Sequence, residues 1–289
     1  MLLGALEAGG TKMVCAIVKD NGEILERVSY PTLTPDETLP VLADFFRDKG
    51  IEALGIGCFG PIDLNKESDT YGYITSTPKL AWRNTDIVGY FKKELNIPIG
   101  FDTDVNGSLL GEVTFGAAKG ISDAIYLTIG TGIGGGVMSG GNLLHGMLHP
   151  EMGHILMSRI QGDDYAGKCP YHKTCFEGMC AGPAIEERWG KKGVELADRD
   201  EVWELESSYI AQALVSYILI LSPKLIILGG GVMHQKQLFP IIRKKTAELL
   251  NGYLETAELK DMDNYIISPA LGDDQGILGA AMLGLDMLK

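Results

Sequence analysis

Positive charge is in short supply in this chain. Lys and Arg total 25 against 38 Asp and Glu, a net charge of −13. A nucleic-acid partner is therefore excluded, because gathering phosphates needs a positive field. Long apolar runs are missing too. The longest apolar helix candidate, Tyr209 to Leu221, is too short to span a bilayer and reads as a core helix, so no membrane partner is expected. No signal-peptide pattern opens the chain, since Glu7 and a glycine turn interrupt the first apolar run. Cysteine is sparse at five residues, which argues against a disulfide framework. Cys15, Cys58 and Cys180 are expected to be buried thiols in a reducing compartment, with the cytoplasm as the default location. No linker is rich enough in Pro or Ser to separate independent domains. What remains is ordinary for a soluble globular protein, 45% hydrophobic and 22% charged over 289 residues. That length suits two compact lobes or one large domain.

The elements repeat. LLGALEAGGTKMVCAIVKDNGEIL reads as strand, glycine turn, strand, Asn-Gly turn, strand. A helix is expected in PDETLPVLADFFRDKG, a buried strand in IEALGIGCFGPIDL, an amphipathic helix in DIVGYFKKELN and a strand in IPIGFDTDVN. The pattern then restarts: DAIYLTIGTGIGGGVMSGGNLL is strand, glycine-rich turn, strand and Gly-Gly turn. Helices from Glu204 to Leu221 and Phe239 to Leu250, strands KLIILGGG and NYIISPAL and a last helix from Gln275 complete it. Placing Gly9-Gly10-Thr11 against the Gly130–Gly132 region sets two β-turn-β units in register, the mark of an internally duplicated α/β protein. Two lobes are expected, with ligands met where they join.

Four residues suggest a metal. Cys169, His172 and Cys175 are spaced three apart, and His154 stands fifteen residues upstream. Two thiolates and two imidazoles are a set that Zn²⁺ closes into a tetrahedron, although a C-x-x-H-x-x-C run is a modest signal alone and a purely structural knuckle uses the same ligands. Glu151 and Glu177 flank the set as carboxylates that such a site does not require, which suggests a pocket for a polyhydroxylated ligand.

Both glycine turns read as phosphate cradles, since a tight turn exposes successive N–H groups to an anion. The competing reading is a plain hairpin with glycine at positive φ. It would win for AGGTK alone and is weaker for GTGIGGG. Asp104 follows the hydrophobic strand in FDTDVNGSLLGE, at the carboxyl end where open α/β sheets meet ligands. Asp102, Thr103 and Asp104 all qualify equally as a helix N-cap. LGGGV at Leu228–Val232 is a strand end suited to a nucleotide or to helix–strand packing.

In order, AGGTK, GPIDL, FDTDVN, GTGIGGG, HPEMGH, CPYHKTCFEG with AGPAIEERWG, and LGGGV resemble the ROK family of sugar kinases within the hexokinase–actin superfamily. The resemblance runs from about Glu7 to Ala281. TYGYITSTPKLAW, FDTDVNGSLLGE and the CxxHxxC loop look most like its bacterial fructokinases. The resemblance implies an α/β, two-lobed actin-like/ribonuclease H-like ATPase fold with an internal duplication and a small zinc-binding loop. Its lobes would be 1–117 with 274–289, and 118–273 with the zinc-binding segment 151–180. It implies ATP-dependent phosphorylation of a hexose, most similar to fructose 6-phosphate formation. Kinases of glucose, mannose or N-acetylhexosamine remain open, as does a non-catalytic sugar sensor. Sensors of the family carry a helix-turn-helix ahead of the first lobe, whereas this chain opens on its first strand.

Residue by residue, the resemblance implies that Asp104 is the catalytic base and that Thr103, Glu151, His154 and Glu177 bind the sugar. Gly9, Gly10, Thr11 and Lys12 match the first phosphate turn, Gly130, Thr131 and Gly132 the second, and Gly229, Gly230 and Gly231 the adenosine turn. Glu7 stands near Mg²⁺ where many relatives have Asp, and Thr103 stands where many have Asn. His154, Cys169, His172 and Cys175 match the zinc ligands, with His172 in place of a thiolate. Relatives are commonly homodimers, so a homodimer is expected. ATP, Mg²⁺ and Zn²⁺ are the implied cofactors.

Overall fold

A computed structural model describes residues Met1–Lys289. The chain forms two compact units. Met1–Gly120, Leu143–Pro150 and Ala270–Lys289 make the first, and Ile121–Asn142 with Glu151–Pro269 the second.

In the first unit, strands β1 (Leu2–Ala8), β2 (Lys12–Lys19) and β3 (Ile24–Pro31) form an antiparallel meander. Strand β4 (Ala53–Cys58) then pairs in parallel with β1. A small ladder of β5 (Tyr73–Ile74) and β6 (Thr85–Asp86) follows, and β7 (Ile99–Thr103) completes the main sheet in the order β3-β2-β1-β4-β7. Every residue of β4 and β7 is buried, as expected of parallel strands covered on both faces. Edge strand β3 instead exposes much of its length.

Alternation along β1 divides the core. Leu6 and Ala8 face a cluster with Met13, Cys15, Leu42, Phe46, Trp82 and Phe91, drawn from helices Pro35–Phe46 and Ile87–Leu95 among others. Leu3 and Ala5 face a second cluster with Ile277, Ala280 and Ala281 of helix Gln275–Asp286. That last helix lies so close to helix Asp104–Phe115 that a Cβ on Gly279 would sit 1.6 Å from the Gly107 carbonyl oxygen. Glycine here permits backbone contact between helices, a role that its spacing in the sequence did not reveal.

The second unit repeats the plan. Strands β8 (Ala124–Ile129), β9 (Ile133–Ser139) and β10 (Asn142–Leu143) lead, and β11 (Leu225–Gly229) and β12 (Ile266–Ile267) follow in parallel, in the order β10-β9-β8-β11-β12. Ile129 opposes Ile133 across the 130–132 turn much as Ala8 opposes Met13 across the 9–12 turn. Two sheets with the same order and the same antiparallel-then-parallel sense bear out the internal duplication.

Three boundaries differ from expectation. The long helix runs Asp200–Leu221 rather than from Glu204, because Asp200 and Glu201 suit the positive end of the helix and Val202 and Trp203 are buried. The strand expected through NYIISPAL shrinks to two residues, since Asp261 caps a helical turn Met262–Tyr265 by accepting from Asn264 N. Segment 143–150, expected in the second lobe, belongs to the first unit together with 118–120 and 270–273. The buried Glu112 carboxylate fastens 270–271 there, accepting from the N–H groups of Ala270 and Leu271. No helix is long and apolar enough to cross a membrane.

Candidate functional site

The second unit brings together the four residues expected to ligate a metal. His154 ends a 3-10 turn, Met152–His154, and its N–H bonds to Glu151 O, 3.0 Å away. Cys175 opens the short helix Phe176–Cys180, and its sulfur accepts from Gly178 N at 3.4 Å. His154 Nδ1 lies 3.5 Å from Cys175 Sγ and 3.8 Å from Cys169 Sγ, and His172 Nδ1 lies 3.9 Å from Cys169 Sγ. The four ligand atoms are within 4.8 Å of one another. A tetrahedral zinc with ordinary bond lengths separates sulfur from nitrogen by about 3.6 Å, so the donor set fits one ion. Burial pushes the Cys175 thiol up to about 11. A thiolate at that depth therefore calls for a cation, and binding one would release protons.

The same imidazole faces two ways. While Nδ1 turns to the sulfurs, Nε2 is 4.0 Å from Glu177 Oε1. The other oxygen of Glu177 accepts from Ile133 N at 2.9 Å. Glu151 is pushed above the ordinary carboxylate range by burial and then by the negative Glu177. Two acidic groups and an oriented ring nitrogen are thus collected beside the 130–132 turn.

Glycine content in this unit has several causes. Gly130, Thr131 and Gly132 do not have positive φ, so the plain-hairpin explanation fails for them. Gly130 N–H bonds to Gly132 O at 2.9 Å, and Gly130 O accepts from Gly182 N at 2.7 Å. A Cβ on Gly135 would meet Met152 Sδ at 2.4 Å, and one on Gly153 would meet Ile133 O at 2.0 Å. Those two glycines therefore let the Met152–His154 turn lie flat on β9. Gly229 ends β11, and Gly230 is different again: φ is +89° and a Cβ would come within 2.5 Å of Ile129 O. A Cβ on Gly130 would be 3.6 Å from Gly231 N, so the 130–132 and 229–231 loops adjoin.

The first unit holds the remaining predicted residues. The turn at Gly9, Gly10, Thr11 and Lys12 joins β1 to β2, with Gly9 N–H bonded to Lys12 O at 3.1 Å. Thr32 braces it, its hydroxyl donating to Gly9 O at 2.7 Å. Glu7 lies on β1 beneath Gly276, whose Cβ would reach the Glu7 carboxyl carbon at 2.7 Å. Burial raises Glu7 above the usual carboxylate range, opposed by Lys12 and Arg27. Thr103, not Asp104, is the N-cap of helix Asp104–Phe115. Its hydroxyl oxygen accepts from Asn106 N at 3.1 Å, and the O–H proton can still be donated. Asp104 is the first residue of that helix, with Oδ1 accepting from Val105 N at 2.9 Å.

Two groups of residues went unnoticed in the sequence. One joins Asp102, Asn106 and His145 in the first unit. The other joins Asp163, Arg188, Glu206 and Tyr209 in the second. Neither has a spacing signal, because each set is drawn from separate elements.

Comparison with known proteins places this geometry. The model of the ROK family matches residues 3–287. A relative in Bacillus subtilis (strain 168) is 52% identical over 289 residues, covering 100% of this chain and 97% of its own. The fructokinase of Pediococcus pentosaceus is 47% identical, covering 100% and 99%. Among solved structures, the ROK hexokinase from Thermus thermophilus superposes with a TM-score of 0.81 at 25% identity, covering 100% and 99%.

Proposed function

Because this chain belongs to the ROK family, we propose that it is an ATP-dependent sugar kinase making fructose 6-phosphate from fructose. The observation that carries this reading is the 47% identity, along both full lengths, to a protein named fructokinase. The collected carboxylates, imidazole and glycine loops support it.

Asp104 takes the proton from the attacking hexose hydroxyl. Asp104 is the first residue of its helix, directly beyond a buried strand. Glu151, Glu177 Oε1 and His154 Nε2 bind sugar hydroxyls, and Thr103 donates from its hydroxyl. A site built to hydrogen-bond hydroxyls rejects analogues that lack them. The N–H groups around Gly9–Lys12 and Gly130–Gly132 hold the phosphates, Gly229–Gly231 take the adenosine, and no covalent intermediate is required. Glu7 would hold Mg²⁺, and the chemistry that ion would supply is charge neutralisation during phosphoryl transfer. His154, Cys169, His172 and Cys175 would hold Zn²⁺. Four protein ligands leave that ion no open position, so its part is to lock the tautomer and ring plane of His154.

The test is ADP release coupled to a dye, with fructose, glucose, mannose and N-acetylhexosamines at matched concentrations. Fructose is expected to give the highest kcat/KM. A far higher value for glucose or mannose would replace the fructose assignment with one of the alternative kinases, and no turnover of any hexose would favour a sensor. A homodimer is the expected assembly, supported by exposed Leu219 and Ile220 on helix Asp200–Leu221. Light scattering at half the monomer-pair mass would reject it.

A further inference from the structure

Asp102 is a buried carboxylate to which phosphoryl transfer assigns no task. It lies near the end of β7, two residues before Asp104, and is 3% exposed. Oδ1 accepts from Thr103 N at 2.7 Å and from Asn106 Nδ2 at 2.7 Å. Oδ2 faces His145 Nε2 at 2.8 Å. Thr103 and Asn106 close the same junction a second time through the N-cap bond. The turn that aims Asp104 is therefore tied to Asp102 from several sides, and His145 supplies a partner that is cationic when protonated.

His145 comes from segment 143–150, which lies within the first unit. Gly146, Met147 and Leu148 are exposed, while His149 is buried and its Nε2 accepts from Ile62 N at 3.2 Å. The ionisable groups around the pair are Asp102 on β7, His149 on the same segment and Tyr71. The hydrogen bond that His145 makes to the Asp102 carboxylate lifts it above the ordinary imidazole range, against burial, whereas burial pushes His149 below it. His145 is thus drawn toward its charged form and His149 away from it, with His149 Nε2 accepting from Ile62 N.

Resting on the sugar-kinase reading, we propose that His145 is a positioning residue. By bonding Asp102 it holds the Thr103–Asp104 junction in the orientation in which Asp104 receives the hydroxyl proton. Without it, Asp102 Oδ2 lacks this donor, and the buried carboxylate two residues from the base is held through Oδ1 alone, by Thr103 N and Asn106 Nδ2. Both the aim and the basicity of Asp104 then change.

The experiment compares wild type, His145→Ala, His145→Gln, Asp102→Asn and the His145→Ala/Asp102→Asn pair with fructose across pH 5 to 9, together with NMR titration of the imidazoles. His145→Ala is expected to lose about 10- to 100-fold in kcat with KM for ATP unchanged. Its acid limb should move to higher pH. His145→Gln, which keeps an N–H donor, should recover most of the kcat at pH 7, and His145→Ala should add little once Asp102 is Asn. An unchanged kcat and pH limb in His145→Ala, additive losses in the pair, or no recovery in His145→Gln would overturn the proposal. The NMR arm needs no turnover: His145 should titrate above 6.5 in wild type and fall when Asp102 is Asn. An unshifted imidazole sinks this proposal while leaving fructose phosphorylation intact. Wild type inactive on every hexose sinks the kinase reading, with the pair still decided by NMR.

Discussion

Glu177 and Gly132 are mutually exclusive with any side chain between them: a Cβ on Gly132 would stand 2.8 Å from Glu177 Oε2, the oxygen that accepts from Ile133 N at 2.9 Å. The residue that follows the glycine turn therefore donates the hydrogen bond that holds a proposed sugar-binding carboxylate. Gly132→Ala must push Glu177 off Ile133. Hexose KM is expected to rise about tenfold, worth roughly 1.4 kcal/mol, with secondary structure intact by circular dichroism. A variant with wild-type hexose KM would separate the turn from the sugar.

Asp104→Asn keeps the shape of the side chain and removes its basicity. The expected loss is about 10²–10⁴ in kcat, with hexose affinity retained by calorimetry. Near-normal turnover would take Asp104 out of its role.

Metal and stability are expected to fall together. Cys169→Ser or exhaustive chelation should lower zinc content by elemental analysis and raise hexose KM, since His154 loses its hold. At about 2–4 °C per kcal/mol for a chain of this size, losing a structural site should lower Tm by roughly 10 °C. Zinc-free protein with unchanged Tm and KM would show that the cluster holds no structural ion.

Glu206 lies at 0% exposure beside Arg188, Nη1 to Oε1 2.7 Å, and burial pushes it up to about 7 in spite of that partner. Its folded value is above its unfolded one. The stability it contributes is fully present below about 4.5 and is lost as pH rises through about 7. Glu206→Gln mimics the protonated form, so its Tm relative to wild type should climb between pH 5 and 8. A constant difference across that range would contradict the shift. Arg188→Met should cost about 3–5 kcal/mol by denaturant melting, because Asp163 and Glu206 would remain buried without their cation.

Helix Gln275–Asp286 offers a last test. Gly279→Ala places a methyl 1.6 Å from Gly107 O, a backbone atom that cannot rotate aside. A loss of about 1–3 kcal/mol is expected for such overpacking, and an unaltered denaturant midpoint would show that the two helices can separate cheaply.

Much of this was legible in one dimension because it depends on local pattern. A continuous apolar run such as ALGIGC can satisfy only a strand covered on both faces, and every residue of it is buried. The recurrence of strand, glycine turn and strand became two sheets of one topology. Ligand types at three-residue spacing placed Cys169, His172 and Cys175 in one loop, and His154 joined them. Thr103 shows where pattern stops. Three adjacent polar residues were equally good caps, and only the backbone geometry chose it, leaving Asp104 as the first residue of the helix. The partners of Asp102 and Arg188 lie dozens of residues away or on another element, so no periodicity announces them. Residue order sets which side chains a strand or turn can present. Which distant donor reaches a buried charge is decided only when desolvation makes an unpaired one too costly, and that cost exists only in the folded chain.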